Sequence, residues 1–136
     1  MGTISLEANL GVTPDALWDH MKNFGEVSGF LDVISESTLV DGDSSKRVCN
    51  LADGTVLNES LLHHDHETRT LKYSITEGLP VTAHEATMSV EDVGDGRSIF
   101  RWVTESTVAD GAPDGFHGMF EGMLAGEVAK LEQRWP

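Results

Sequence analysis

Three residues in the middle of the chain carry groups that acid–base catalysis often uses: the Glu59 carboxyl, the Tyr73 hydroxyl and the His84 imidazole. Side chains alternate between the two faces of a strand, so His84 shares a face with Ala86 and Met88, opposite the polar residues that separate them. We therefore expect His84 to point into the protein.

A carboxylate and an imidazole that meet in an apolar pocket could act as acid and base in an aldol cyclisation or a dehydration, with Tyr73 as a hydrogen-bond donor. In such a pocket the pKa of the carboxyl rises and that of the histidine falls, unless the two groups pair. Three roles stay open for Glu59 and His84: they satisfy each other or bind buried water, they orient a ligand, or they catalyse.

Two other groups of reactive residues are not predicted to do chemistry. Adjacent strand residues point to opposite faces, so His63 and His64 cannot bind one metal ion together, and no fixed fourth ligand accompanies His66. Cys49 has no evident histidine partner, so we predict no nucleophile. We predict neither a metal site nor a cofactor.

The charge balance argues against two classes of partner. The chain of 136 residues has 9 Lys and Arg against 23 Asp and Glu, a net charge of −14. Such a surface repels phosphate backbones and anionic lipid heads, so we expect no nucleic acid partner. No run approaches the roughly 18 apolar residues of a membrane span, so we expect no membrane insertion.

The cysteine content and the first residues indicate a compartment. Cys49 is the only cysteine, which excludes an internal disulfide and fits a reducing environment. The first residues follow a strand pattern and show no basic leader with an apolar segment behind it. We expect a cytoplasmic protein with a single domain over 1–136, either a monomer or a homodimer.

The elements that must position these residues follow a simple order. An alternating pattern predicts a strand over 3–10, after which Thr13 can cap a short helix that begins at Pro14. A second short helix or turn is predicted over 26–31. Turn signals between β-rich runs then predict a meander of six antiparallel strands, over 33–41, 46–52, 56–64, 69–77, 82–92 and 97–107.

Apolar residues at helical spacing predict a long helix from Pro113 to Trp135. Gly118, Gly122 and Gly126 form a stripe of small residues beside its apolar face, and we expect them to allow close contact of the helix with the sheet. Since one long helix must cover one face of a seven-stranded sheet, a curved sheet that wraps around the helix leaves space for a ligand between them.

Several stretches resemble the helix-grip fold of the START and Bet v 1-like superfamily, closest to its bacterial polyketide cyclase/dehydrase and lipid-transport branch, also called SRPBCC. The run 12–18 resembles the start of the family's first helix, Arg47 with Asp53-Gly54 resembles its Arg-to-Asp-Gly hairpin, and 100–102 resembles its last strand. The spacing Glu-x-Leu-x-x-x-Asp-x-x-x-Arg-x-x-x-Tyr-x-Ile is carried by Glu59, Leu61, Asp65, Arg69, Tyr73 and Ile75. The resemblance implies an α+β fold, a seven-stranded curved antiparallel sheet around a long C-terminal helix, and a Glu59 that faces the pocket.

The predicted pocket follows from strand alternation, helix spacing and this resemblance. Glu127 projects into the middle of the apolar face, where a solvated position after a local bend is favoured over a pocket role. No arginine is clearly placed in the pocket, and the inward face of the strand 46–52 stays open. The predicted ligand-binding residues are Phe30, Glu59, Leu61, His63, Tyr73, His84, Ala86, Met88, Phe100, Trp102, Phe116, Phe120, Met123 and Glu127.

Three functions are compatible with these features. The first is binding or transport of a small hydrophobic or amphipathic molecule between the sheet and the C-terminal helix. The second is an enzyme of the polyketide cyclase or dehydratase type, with Glu59 and His84 as acid and base. The third is a module that binds a protein partner, which requires an exposed apolar patch around Phe30 and Phe116.

Overall fold

A computed structural model of the chain describes residues 2–136 and shows the predicted order of elements. One strand precedes a short α-helix and a 3₁₀ helix, six further strands follow, and a long α-helix ends the chain. The elements are β1 (Gly2–Leu10), α1 (Pro14–Met21), the 3₁₀ helix (Phe24–Gly29), β2 (Ile34–Val40), β3 (Asp43–Leu51), β4 (Val56–Asp65), β5 (Thr70–Glu77), β6 (Val81–Gly94), β7 (Arg97–Val108) and α2 (Phe116–Arg134).

The seven strands form one antiparallel sheet in the order β1-β7-β6-β5-β4-β3-β2. Strands β2 to β6 each pair with the next strand in the chain, and β1 pairs with β7 at the other edge of the sheet. Alternate residues of the sheet are buried, as in β7, where Phe100, Trp102 and Thr104 point inward. The curved sheet around α2 confirms the predicted α+β helix-grip fold.

The turn between β3 and β4 sets which side chains of these strands face the core. Gly54 has a φ of 93°, in the left-handed region, and the Asp53 carboxylate accepts the backbone N–H of Thr55 at 2.9 Å. This turn fixes a register in which Arg47 lies opposite Glu59. The inward face of β3, which the sequence left open, therefore carries Arg47, Cys49 and Leu51, all of which are buried.

The short helices close one end of the sheet much as predicted. The Thr13 hydroxyl accepts the backbone N–H of Ala16 at 3.3 Å and so caps α1, with Pro14 in its first turn. Leu17 and Trp18 are buried on the inner side of α1. The second short helix is a 3₁₀ helix that begins and ends two residues earlier than predicted.

The long helix α2 starts three residues later than predicted. Gly115 is its N-cap residue and adopts a left-handed φ of 76°, so the chain from Pro113 cannot continue into the helix without a break. The buried face of α2 agrees with the predicted spacing and consists of Phe116, Phe120, Leu124, Glu127, Val128 and Leu131.

The prediction for the glycines of α2 is wrong. A Cβ atom built on Gly118, Gly122 or Gly126 would have no other atom within 4 Å, apart from the neighbouring helix backbone, and all three residues are exposed. Met119, on the same exposed side, is 63% accessible to solvent. The small-residue stripe therefore faces away from the sheet, because larger residues on the opposite side of the helix make the contact.

Replacement of one of these glycines should stabilise the protein. Gly122→Ala adds a methyl group in open space and removes backbone freedom from the unfolded chain, so we expect the free energy of unfolding to rise by about 1 kcal/mol. Gly78→Ala is the matched control. It should destabilise the fold, because Gly78 has a φ of 110° and its Cβ would meet the Val56 carbonyl oxygen. Urea denaturation measures both; a destabilised Gly122→Ala variant would contradict the exposed position of the stripe.

Candidate functional site

A cavity lies between the inner face of the sheet and α2, beside the segment that follows the 3₁₀ helix. The volume that the centre of a water molecule can reach inside it is about 30 Å³. A cavity needs about 10–15 Å³ of such volume to hold one water molecule. Its wall is mostly aliphatic and aromatic, with side chains such as Ile34, Leu57, Ile75, Phe120 and Leu124. The cavity therefore has room for about two water molecules as it stands.

Arg47 and Glu59 are the only charged side chains that border this cavity among the described residues. Both are buried, with 2% and 4% of their surfaces exposed. Arg47 donates from Nε to Glu59 Oε1 at 2.8 Å, and its Nη2 donates to the same oxygen at 2.5 Å. Burial raises the pKa of the Glu59 carboxyl, and the Arg47 guanidinium opposes that rise.

The surroundings of Arg47 satisfy the rest of its guanidinium group. Nη1 donates to the Phe24 carbonyl oxygen at 2.9 Å, which joins β3 to the 3₁₀ helix. The guanidinium carbon also lies 4.0 Å from the centre of the Phe24 ring and 5.0 Å from the Tyr73 ring. The sequence did not clearly place an arginine in the pocket, and the structure places Arg47 there.

Tyr73 and Trp102 contribute two further polar groups to the cavity wall. Burial raises the pKa of the Tyr73 hydroxyl, and the Glu59 charge adds to that rise, so Tyr73 is a neutral phenol. The Trp102 indole interacts with the Tyr73 hydroxyl and opposes the rise in the Tyr73 pKa, but the buried indole N–H meets no acceptor at full hydrogen-bond distance and angle within residues 2–136. The wall thus contains an unpaired donor beside a neutral hydroxyl.

His84 faces inward as predicted but does not meet Glu59. Its Nδ1 atom accepts the backbone N–H of Ile75 at 2.9 Å, beyond the point where the ladder between β5 and β6 ends at Tyr73 and Ala86. Burial lowers the pKa of His84 to about 4, so the ring is neutral at pH 7 and Nδ1 is free to accept. Glu59 pairs with Arg47 instead, and the predicted acid–base pair is not formed.

The alternation of β4 is interrupted by an irregularity between Leu61 and His63, and this changes the predicted position of His63. His63 is exposed, so the prediction that it faces the pocket is wrong, while Leu61 packs half-buried against the core. His64 lies against the Trp18 ring instead, at 5.4 Å between ring centres, and the Trp18 indole donates to His66 Nδ1 at 3.0 Å.

The remaining predicted residues divide between the cavity wall and the core. Five of them border the cavity: Glu59, Tyr73, Trp102, Phe120 and Met123. Five others are buried in the core and do not border the cavity in the part of the chain that the structure describes: Phe30, Ala86, Met88, Phe100 and Phe116. Their roles as ligand-binding residues stay predictions.

Glu127 is buried and does not project to solvent, so the favoured solvated position is wrong. Its Oε1 atom accepts the backbone N–H of Val33 at 2.7 Å, and Oε2 forms an ion pair with Lys130 at 3.0 Å. These bonds hold the segment between the 3₁₀ helix and β2 against α2. Glu127 thus supports the cavity wall from behind, because Leu31, Val33 and Ile34 of that segment border the cavity.

Arg47 is the functional residue that sequence reasoning did not place in the pocket. Arg47 alternates along the strand with Cys49 and Leu51, but the opposite face carries Val48. Hydrophobicity alone therefore does not show which face of this strand points inward. Counting the register back from the Asp53-Gly54 turn to Glu59 would have found it. Burial also raises the pKa of the Cys49 thiol to about 12, which makes this cysteine unreactive.

Among residues 2–136, no group of three or more His, Cys, Asp or Glu side chains is arranged to hold a metal ion. No helix in that range is long and apolar enough to cross a membrane.

The model of one protein family, described as polyketide cyclase / dehydrase and lipid transport, matches residues 1–134. This chain belongs to that family. The match covers nearly all the elements described above and confirms the resemblance that the Glu59-to-Ile75 signature carried. The sequence matches none of the curated proteins.

Solved structures show the same fold for this polyketide cyclase/dehydrase family member. The protein XoxI from Bacillus cereus is 22% identical and has a TM-score of 0.90, over 99% of this chain and 96% of that chain. An uncharacterised protein from Bacillus thuringiensis is 19% identical, with a TM-score of 0.89 over 98% of each chain. A START superfamily protein from Mycobacterium smegmatis is 13% identical, with a TM-score of 0.79 over 98% of this chain and 96% of its own.

Removing the cation of the buried ion pair should destabilise this family member strongly. Arg47→Met leaves the Glu59 carboxyl buried without its partner, and we expect a loss of about 3–5 kcal/mol in the free energy of unfolding. The double variant Arg47→Met/Glu59→Leu removes both charges and should recover most of that loss. Urea denaturation at pH 7 measures both variants.

The control for this experiment is Lys22→Met, which breaks an exposed ion pair with Asp19 and should change stability by less than about 1 kcal/mol. If the double variant were as unstable as Arg47→Met alone, the cost would lie in lost packing rather than in an uncompensated charge.

His84 should make stability depend on pH. The unfolded chain takes up a proton at His84 near pH 6.5, whereas the folded chain does so only near pH 4. Since the unfolded state binds more protons between these values, stability falls as the pH falls through this window, by up to about 3 kcal/mol. His84→Asn keeps an acceptor for Ile75 but cannot be protonated, so it should lose less stability between pH 7 and pH 4.

The control for the substitution itself is His63→Asn, which makes the same change of side chain at an exposed position. Thermal denaturation at several pH values compares the three proteins. If the stability of the wild type and that of His84→Asn fell equally between pH 7 and pH 4, His84 would have the same pKa in the folded and unfolded chains.

Proposed function

We propose that this protein binds a small, predominantly apolar molecule between the sheet and α2. The observation that carries the proposal is the internal cavity, whose wall is apolar except for one neutralised ion pair and a few uncharged polar groups. Binding sites for small molecules typically combine an apolar wall with a few polar groups that orient the ligand. The family description, which includes lipid transport, supports the same class of function.

The present size of the cavity implies that its wall moves when a ligand binds. About 30 Å³ is far below the roughly 300–1,000 Å³ of pockets that hold drug-sized ligands. Three half-buried residues at the cavity, Met123 of α2, Val33 and Leu79, have solvent on one side and can move outward. Methionine adapts readily to new surroundings because its side chain is unbranched and flexible. We therefore place the mouth of the site among Met123, Val33 and Leu79.

The two alternative functions have less support. A cyclase that uses Glu59 and His84 as acid and base needs the two side chains to act on the same substrate. Glu59 instead forms an ion pair with Arg47, and the Nδ1 atom of His84 accepts the backbone N–H of Ile75. A module for protein partners needs exposed rings at Phe30 and Phe116, and these are only 3% and 6% exposed. A cytoplasmic location and a monomeric or dimeric state remain predictions from the sequence.

A titration with a neutral aromatic probe tests the proposal. We expect ethylbenzene to shift the methyl resonances of cavity residues such as Met123, Leu124 and Ile75 in a saturable manner, as followed by NMR. Val33→Phe should weaken this binding about tenfold or more, because the larger ring occupies the mouth. Val103→Phe introduces the same side chain on the outer face of β7 and should bind like the wild type.

Native mass spectrometry of freshly purified protein complements the titration. A small molecule that is lost on denaturation would support a carrier and identify its ligand class. If ethylbenzene left the cavity methyl groups unshifted, or if Val33→Phe bound it as tightly as Val103→Phe, the cavity would not be the binding site.

A further inference from the structure

The indole N–H of Trp102 is a donor without an acceptor at the wall of the cavity. Trp102 is 2% exposed, and no atom of residues 2–136 accepts a hydrogen bond from its Nε1. The other tryptophan of the inner side, Trp18, shows the usual arrangement, since its N–H donates to His66. Buried donors are nearly always paired, because an unpaired one loses its bond to water and gains nothing.

The neighbouring groups do not supply the missing acceptor. The Tyr73 hydroxyl interacts with the Trp102 indole, which opposes the rise in the Tyr73 pKa, but no acceptor within residues 2–136 meets the indole N–H at full hydrogen-bond distance and angle. Glu59 Oε1 is already occupied by two bonds from Arg47. A molecule inside the cavity can therefore supply the acceptor.

The charges of the cavity decide what kind of acceptor fits. Each nitrogen of the Arg47 guanidinium already donates to Glu59 or to the Phe24 carbonyl, so an anionic ligand would have to displace the Glu59 carboxylate. A cationic ligand would have to share the Glu59 carboxylate with Arg47 and would lie close to the Arg47 guanidinium. A net charge of −14 on the whole chain further disfavours the approach of anions. An uncharged ligand meets neither obstacle.

We propose that Trp102 determines specificity by donating its indole N–H to an uncharged oxygen acceptor, such as the carbonyl of a ketone or ester, on an otherwise apolar ligand. This inference rests on the proposed function and specifies the chemistry of its ligand. In the absence of the ligand, one of the water molecules for which the cavity has room accepts the same bond. A pure hydrocarbon would expel that water and leave the donor unpaired, whereas a carbonyl replaces the bond.

Three probes of similar size and shape test the inference: acetophenone, ethylbenzene and benzoate, in which a carboxylate oxygen replaces the methyl group. We expect acetophenone to bind about fivefold to tenfold more tightly than ethylbenzene, and benzoate to bind at least tenfold more weakly than acetophenone. Acetophenone should also shift the indole N–H resonance of Trp102 in ¹H–¹⁵N spectra, which ethylbenzene should shift less. This resonance is assigned by its loss in Trp102→Phe.

Two variants separate the role of the N–H from that of the ring. Trp102→Phe keeps an aromatic ring in the wall but removes the donor, so it should bind acetophenone and ethylbenzene with equal affinity. Trp18→Phe removes an indole that already has a partner outside the cavity, and it should keep the preference of the wild type. If Trp102→Phe folds poorly, the response of the Trp102 indole N–H resonance to acetophenone in the wild type still tests the inference.

The possible results distinguish this inference from the proposed function. If ethylbenzene and acetophenone bind equally well to the wild type and the Trp102 resonance does not respond to acetophenone, Trp102 does not select the ligand, but the apolar site stands. Tighter binding of benzoate than of acetophenone would also overturn the inference. If none of the three probes binds, the proposed function fails and the inference fails with it.

Discussion

Arg47 and Glu59 face each other across β3 and β4 with almost no contact with water, and much of the structure depends on this pair. Two charges leave water only at a large cost, which their mutual attraction offsets when the geometry is good and the remaining donors are satisfied. Here the third guanidinium nitrogen bonds to the Phe24 carbonyl, and rings of Phe24 and Tyr73 flank the cation. One interaction thus ties two neighbouring strands to the 3₁₀ helix at the border of the cavity.

The same pair sets the chemical character of the site. Because each charge is neutralised by its partner, the cavity offers a ligand neither a free cation nor a free anion, although both are present in its wall. The groups that remain available are uncharged, and they stand among aliphatic and aromatic side chains. His84, which could have supplied acid–base chemistry, instead takes the place of a missing strand partner for the Ile75 amide. The inward histidine thus serves to complete the sheet.

Most of the fold was predictable from the sequence, and the site only in part. Strand alternation placed Trp102, His84 and Phe100 correctly on the inner face, because regular strands keep a period of two. The same reasoning failed at His63, where an irregularity in β4 reverses the alternation without an evident signal in the sequence. The partners of Glu59 and His84 could not be predicted either, because hydrogen bonding depends on distances between strands that the order of residues does not specify.

The exposed glycines of α2 also bear on how the protein folds. A helix with three glycines on its free side has a low intrinsic tendency to form, so α2 depends on the sheet that its other face contacts. Its last turn is anchored to the first strand of the chain, where the Gly11 amide donates to the Trp135 carbonyl at 3.0 Å. Such contacts between the two ends of a chain close long loops and slow the folding reaction. The cavity should therefore be complete only in the last stage of folding, when α2 docks on an already assembled sheet.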